Sequence, residues 1–483
     1  LYGTAAMGGV INIITKKKVA DSIALEQGSY GIGRQALALA GELARAAARL
    51  QAVAPKLRAK AAGELQYESF ATVPAGVVQR DLDWLLSDRD PRFATPDPAA
   101  LAKHRALWAR HVPFCAMENG DLLTIDARGD DPARLVQRVA RGLAGQADVV
   151  RCLSLNDGKE IWRYAYPVRI KRFHGMSRTV PAVTDKYVVT IGPRGHVTCL
   201  DSKTGEFKWM LNLVAEFGTV IPQWYTAQCP LIEDGKAIIA PAGSVLMMAV
   251  DCATGETVWQ TPNPDKWVMT HSSVVPMEFA GNRFYIYCGG STDAGGVIGV
   301  SAKDGQVLWK TDRWKVRTNV PMPVIVGPDR IFLSAGYGQY DFGCTMLRLT
   351  ESEGKIVVTS EFLHPTSVFS TMQHTPIFYN GHIYGVRMDK QLVCLDLEGN
   401  VVWTSTSVNT FGSGPYAIAD GLLYVMDDNG VLTIVEPGAS GYNPLARAKV
   451  LDGIESWGPM AFASGRLIVR DLNRMVCLDV AGR

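Results

Sequence analysis

CLDSKTGEFKW at 199–209 and AVDCATGETVW at 249–259 are one phrase written twice, fifty residues apart. Each opens with a short apolar strand. An aspartate follows, Asp201 or Asp251, placed to accept hydrogen bonds from the amides of the turn after it. Gly205 and Gly255 stand where a tight connection needs positive φ. The returning strand ends on Trp209 or Trp259, whose flat ring is best buried against a neighbouring element with its indole N–H on a carbonyl.

Read outward from these two copies, the phrase recurs. CLSLNDGKEIW ends at Trp162, GVSAKDGQVLW at Trp309 and CLDLEGNVVW, one residue shorter in the turn, at Trp403. Gly158, Gly305 and Gly399 keep the glycine position, and Asp396 keeps the acid. Weaker copies, MLRLTESEGKIVV (346–358) and LTIVEPGASGYNPLARAKV (432–450), fill the intervals, and RMVCLDVAGR (474–483) supplies the first half of another. Before each pair lies a second strand–turn–strand unit, as in TVPAVTDKYVVTIGPRGHV (179–197), CPLIEDGKAIIAPAG (229–243) and TPIFYNGHIYGVRMDKQ (375–391). Four antiparallel strands repeated at about 50 residues make the blade of a β-propeller. A sandwich or a closed barrel has no reason to repeat tryptophan at this interval. The chain is therefore expected to be mainly β, a seven- or eight-bladed β-propeller over 149–483, preceded by a small α/β or α+β segment and a short β fragment.

The phrase Ala/Cys-x-Asp-x-x-Thr-Gly-x-x-x-Trp, matched in full at 249–259 and with Cys at 199–209, resembles the tryptophan-docking motif of the pyrroloquinoline quinone (PQQ)-like propeller family. The resemblance implies interblade docking by Trp162, Trp209, Trp259, Trp309 and Trp403. It also implies a place in the periplasm or cell envelope. Members include quinoprotein alcohol dehydrogenases and non-catalytic propellers such as the lipoprotein of the outer-membrane barrel-assembly machinery. The dehydrogenases carry a vicinal cysteine pair, a catalytic aspartate and calcium ligands; this chain has no adjacent cysteines, no C-x-x-C-H haem site and no run of oxygen ligands at calcium-loop spacing. The expected function is thus a non-catalytic scaffold for protein–protein or ligand binding, not an enzyme, with no cofactor. The alternative is a PQQ-dependent dehydrogenase using calcium.

Where a propeller binds ligands, convergent polar groups gather at strand starts beside the channel. Here those positions hold Arg178, His271, Gln373, His374 and Trp457, the candidate channel-mouth residues. His174 and His196, in a loop and a turn, are expected to be solvated. The Gly-rich stretches at 289–296 and 336–343 read as long hairpin loops, since neither joins a strand to a helix as a phosphate loop requires. Asp427-Asp428-Asn429-Gly430 reads as an ordinary hairpin turn.

Two other textures precede the repeats. LYGTAAMGGVINIITKKK (1–18) and IALEQGSYGIGRQALALAGEL (23–43) resemble the plug end and first barrel strand of TonB-dependent receptors, a fragment taken as 1–42. Nothing downstream supplies the closed barrel that such transport needs. Over 43–148 the Ala/Arg-rich text has helical spacing at Leu43, Leu50, Val53 and Leu57, with Pro55 dividing it. VPFCAMENGDLLTIDARGDDP (112–132) reads as a hairpin around Asn119-Gly120. That hairpin is similar to the central strands of SUKH-type immunity domains, which implies a third reading, a toxin-immunity or sensor module through 43–148. The stretch 133–150 has helical spacing.

The 483 residues carry a net charge of +2, with no basic face of the kind nucleic acid requires, and lack 18 uninterrupted apolar residues, so no transmembrane span is expected. A protein partner is the expectation instead. The chain opens at Leu1 inside what reads as a motif, so the lack of a visible secretory leader says little about compartment. Nine cysteines include Cys152, Cys199, Cys394 and Cys477 at one repeat position, where they are expected to serve as small buried hydrophobes.

Overall fold

The computed structural model describes residues 146–480, except 156, 169, 171–173, 175–177, 338–341, 464 and 473, together with three strands at 111–116, 122–126 and 135–138. The TonB-like fragment and the helical text at 43–110 lie outside the described residues. The described residues fall into two compact units. One holds 150–164 and the blades, and the other holds the three early strands with 146–149 and 165–168.

In that second unit, strands His111–Ala116, Leu122–Asp126 and Leu135–Arg138 form an antiparallel sheet in sequence order. The first two flank Asn119-Gly120 as a hairpin should. The described parts of 133–150 are strands, not the helix that their spacing suggests. Leu135–Arg138 pairs with Leu122–Ile125, and Gln146–Leu153 pairs with Glu160–Val168. Pairing across strands has overridden a local helical pattern, as tertiary context commonly does.

The blade unit follows the repeat. Blade 1 comprises Ala182–Val183, Tyr187–Ile191, His196–Asp201 and Phe207–Asn212. Blade 2 comprises Leu231–Glu233, Lys236–Ile239, Val245–Asp251 and Thr257–Pro262. Blade 3 comprises Val275–Phe279, Asn282–Gly290, Gly295–Ser301 and Val307–Thr311. Blade 4 comprises Val324–Val326, Arg330–Ser334, Cys344–Ser352 and Lys355–His364. Blade 5 comprises Ile377–Tyr379, His382–Val386, Leu392–Leu395 and Val401–Thr404. Blade 6 comprises Tyr416–Ala419, Leu422–Met426, Val431–Glu436 and Asn443–Lys449. Blade 7 has three described strands, Ala461–Ala463, Arg466–Arg470 and Met475–Asp479. All are antiparallel meanders. One short helix, Leu213–Phe217, capped by Asn212 and ended by left-handed Gly218, is inserted after blade 1.

Apolar clusters bind each blade to the next. One joins blades 1 to 3 around Ile239, Met248 and Tyr287, and others join 3 to 4, 4 to 5, 5 to 6 and 6 to 7. Residues 150–164 lie at the seam. Val150 packs with Val188 and Leu200 of blade 1, and Leu155 packs with Ala463 and Ile468 of blade 7. Arg466 donates to the Leu155 carbonyl across the same seam. The repeat text leads one to expect the last strand to share a hydrogen-bonded blade with 150–164. The structure corrects this: the two ends meet by side-chain packing, and the hairpin remains a separate two-stranded sheet. Met475 and Cys477 lie in that packed cluster, so the ring closes without a common ladder.

Candidate binding site at the channel mouth

The interblade docks set the frame on which the mouth is built. Trp162 donates to the Ser202 carbonyl at 3.2 Å, Trp209 to Cys252 at 3.0 Å, Trp259 to Ala302 at 3.2 Å and Trp403 to Gly438 at 2.7 Å. In the first three, the acceptor is the residue after the strand-end Asp or Ser of the next blade. Each ring also lies on that blade's turn glycine: a Cβ at Gly205, Gly255 or Gly305 would stand 2.6–2.7 Å from the Trp162, Trp209 or Trp259 ring. Asp201 and Asp251 accept the amides at 203, 204 and 253, 254, and Asp396 accepts those of Glu398 and Asn400. Those hydrogen bonds hold the carboxyls of Asp201 and Asp396 below the ordinary range, against the opposing effect of partial burial. Gly158 has φ +74° in the turn before Trp162.

The repeat departs from its pattern around blade 4. The Trp309 indole is buried and its N–H meets no acceptor, since the turn it would stand on belongs to a weak copy. Where blade 4 should offer a tryptophan to Gly399, the stacked pair Phe362 and His364 takes its place, with ring centroids 4.8 Å apart.

At one end of the ring, the segments leading into the first strands bring polar side chains into contact. Proline residues such as Pro181, Pro230, Pro376 and Pro415 precede those strands and impose extended entry. Arg178, fully buried, donates to the Trp224 carbonyl. The Trp224 ring stacks 6.2 Å from His271 and lies 5.7 Å from Tyr337, whose hydroxyl accepts from Gln373 Nε2 at 2.9 Å. These residues enter from five successive blades, which can converge only at the axis.

Trp224 and Tyr225 both have left-handed backbones, at φ 71° and 75°. Two consecutive non-glycine residues there cost on the order of 1–3 kcal/mol each, and such strain persists where the surroundings over-determine it. It aims the Trp224 carbonyl at Arg178 and its ring across the mouth.

The remaining candidates form a second, linked group. His374 Nε2 donates to the Ser413 carbonyl at 3.0 Å, and Ser413 N–H donates to Asp428 at 2.8 Å. The same carboxylate oxygen accepts the Trp457 indole at 2.8 Å. His174 is a correction: it is half-buried, 2.7 Å from Glu455 and 5.2 Å from the Trp457 ring, rather than solvated. His196 opens a strand of blade 1 and faces Asn212. Asp428 likewise does more than make a turn, although Asp427 accepts the amides of Asn429 and Val431 as a hairpin requires.

Burial pushes His271 and His374 down to about 4, with Arg178 adding to the effect at His271, so both are neutral at pH 7. Arg178 is lowered by burial to about 10 and keeps its charge. His271 Nδ1 and Gln373 Oε1 are buried without a protein hydrogen bond. The mouth therefore combines one cation, two buried polar atoms without a protein partner and an aromatic face, groups suited to recognition; histidines this acidic are poorly placed as bases near neutrality. Sequence reasoning missed Trp224 and Tyr337, because neither stands at a strand start. No group of three or more His, Cys, Asp or Glu able to hold a metal gathers among the described residues, and no described helix is long and apolar enough to cross a membrane.

Residues 146–404 match the protein family described as outer membrane protein assembly factor BamB. The outer membrane protein assembly factor BamB of Moranella endobia (strain PCIT) is 21% identical over 347 residues, covering 70% of this chain and 69% of that protein. Among solved structures, BamB from Moraxella catarrhalis aligns over 66% of this chain and 85% of its own at 15% identity, with a TM-score of 0.46. AztD of Citrobacter koseri aligns over 69% and 89% at 12% identity, with a TM-score of 0.44. More than half of the 483 residues fall within the family match, and that stretch holds blades 1 to 5 and the docking tryptophans Trp162, Trp209, Trp259 and Trp403, so the chain belongs to the outer membrane protein assembly factor BamB family.

Proposed function

We propose that this chain is a non-catalytic β-propeller scaffold that binds a protein partner during outer-membrane protein assembly, on the periplasmic side of the envelope and without a cofactor. The observation that carries the reading is the family match over 146–404, coincident with the tryptophan-docked blades. The channel-mouth residues Arg178, His271, Gln373, His374 and Trp457 are the polar recognition face in this reading. Their buried, unpartnered polar atoms and single cation favour a polar ligand group, and the neutral histidines favour binding over proton transfer.

The test is genetic and chemical. Removing the gene should lower the amount of β-barrel protein in the outer membrane, and the intact chain should restore it. A photo-crosslinking side chain at exposed Gln223, beside the mouth, should then capture a subunit of the assembly machinery in intact cells. Unchanged outer-membrane protein levels with no such adduct would overturn the reading.

A further inference from the structure

The register of the repeat decides which side chains meet across each seam between blades. Opposite four of the five tryptophans, on the third strand, stands one residue each: Cys199 opposite Trp209, Ala249 opposite Trp259, Gly299 opposite Trp309 and Cys394 opposite Trp403. Cys199 and Cys394 look the same way as their indoles. Cys394 Sγ lies 4.0 Å from the Gly438 carbonyl that accepts Trp403, and Cys199 Sγ lies 3.4 Å from the Cys252 carbonyl that accepts Trp209. The residues accepting the docks are Ser202, Cys252, Ala302 and Gly438. Of these seams, only that between blades 1 and 2 brings a cysteine against a cysteine. Both are fully buried and both are free thiols in this structure, with the neighbouring Cys252 side chain, together with burial, holding the Cys199 thiol protonated.

We propose that Cys199 and Cys252 form a disulfide that staples blade 1 to blade 2 beneath Trp209. The oxidant is a low-molecular-weight disulfide. One cysteine, as thiolate, attacks a sulfur of that disulfide, and the first small thiolate leaves. The second cysteine then attacks the resulting mixed disulfide at the protein sulfur and expels the second small thiolate. The two protein thiols lose two electrons, and the small disulfide gains them and takes up the two protons as two thiols. Burial keeps both thiols out of reach once the seam is closed, so the exchange belongs to folding, while the blades are still apart. The staple does not depend on the proposed function.

Full-length chain, reduced and unfolded, is refolded in a mixture of reduced and oxidised glutathione. It is then alkylated in denaturant and digested with trypsin without reductant. The expected product is GHVTCLDSK (195–203) joined to the peptide 237–266, lost on reduction, together with a guanidinium midpoint higher than that of reduced chain by on the order of 0.5 M. In Cys252→Ser the joined product should vanish and Cys199 should carry the alkyl label. Wild-type chain in which both cysteines are alkylated, or in which either is joined to another cysteine, overturns the proposal whether or not that variant folds.

Discussion

Trp209 and Trp259 each combine a buried ring, an indole hydrogen bond and a glycine platform, so truncation to alanine removes all three at once. Trp209→Ala and Trp259→Ala should each cost about 3–5 kcal/mol in guanidinium unfolding; a loss below about 1 kcal/mol at both would show that they are not interblade anchors. Trp309 makes no indole hydrogen bond, so Trp309→Phe should cost less than Trp209→Phe by about 1 kcal/mol, the net worth of such a bond. Gly255→Ala puts a Cβ at φ +78° into the Trp209 ring and should be destabilising by more than about 1 kcal/mol. The buried histidines add a pH dependence. With folded values near 4 against about 6.5 unfolded, His271 and His374 favour folding above the unfolded value, and that contribution is lost as pH falls from about 6.5 to 4. The double variant His271→Asn/His374→Asn should therefore show a flatter fall in unfolding midpoint across that window than the native chain, and parallel curves would remove the histidines from the account.

At the scale of elements, the weak point is the seam. Blades 1 to 6 are continuous four-stranded meanders, whereas among the described residues blade 7 and 150–164 share no ladder and meet by packing around Leu155 and by the Arg466 contact to its carbonyl. Sheet edges left open in this way favour pairing with other chains, and covering them is a general requirement. Deleting 470–483 removes Met475 and Cys477 from that cluster and leaves the rest of the strand Arg466–Arg470 without its third-strand partner. The expected outcome is a lower melting temperature for the whole propeller in a single transition. Loss of a minor separate transition, with the main one unmoved, would mean that the seam carries no global stability.

For the whole molecule, the prediction separates scaffold from dehydrogenase. Purified chain supplied with PQQ and calcium should show no dye-linked oxidation of primary alcohols or aldose sugars above a heat-killed control. Saturable turnover would overturn the scaffold reading, because the tryptophan docks stabilise blades in either case and cannot distinguish the two. Ring size belongs to this scale as well: the repeat text allowed seven or eight blades, and the structure resolves this as seven, with the hairpin at the seam.

The blades were legible in the sequence because each is a local object: apolar alternation, an aspartate turn, a glycine at positive φ and a tryptophan at a constant interval lie within about 50 residues of one another. What the sequence could not determine are the contacts made across the ring. Strand pairing replaced the helical pattern at 133–150, and packing took the place of a shared ladder at the seam. The mouth depends on Trp224 and Tyr337, which sit in connecting loops and reach Arg178, His271 and Gln373 only once successive blades have curved round one axis. The meeting of Cys199 with Cys252 is of the same kind. Their positions in the repeat are written locally, but which two face each other follows from one blade packing on the next, a long-range relation that no local pattern encodes.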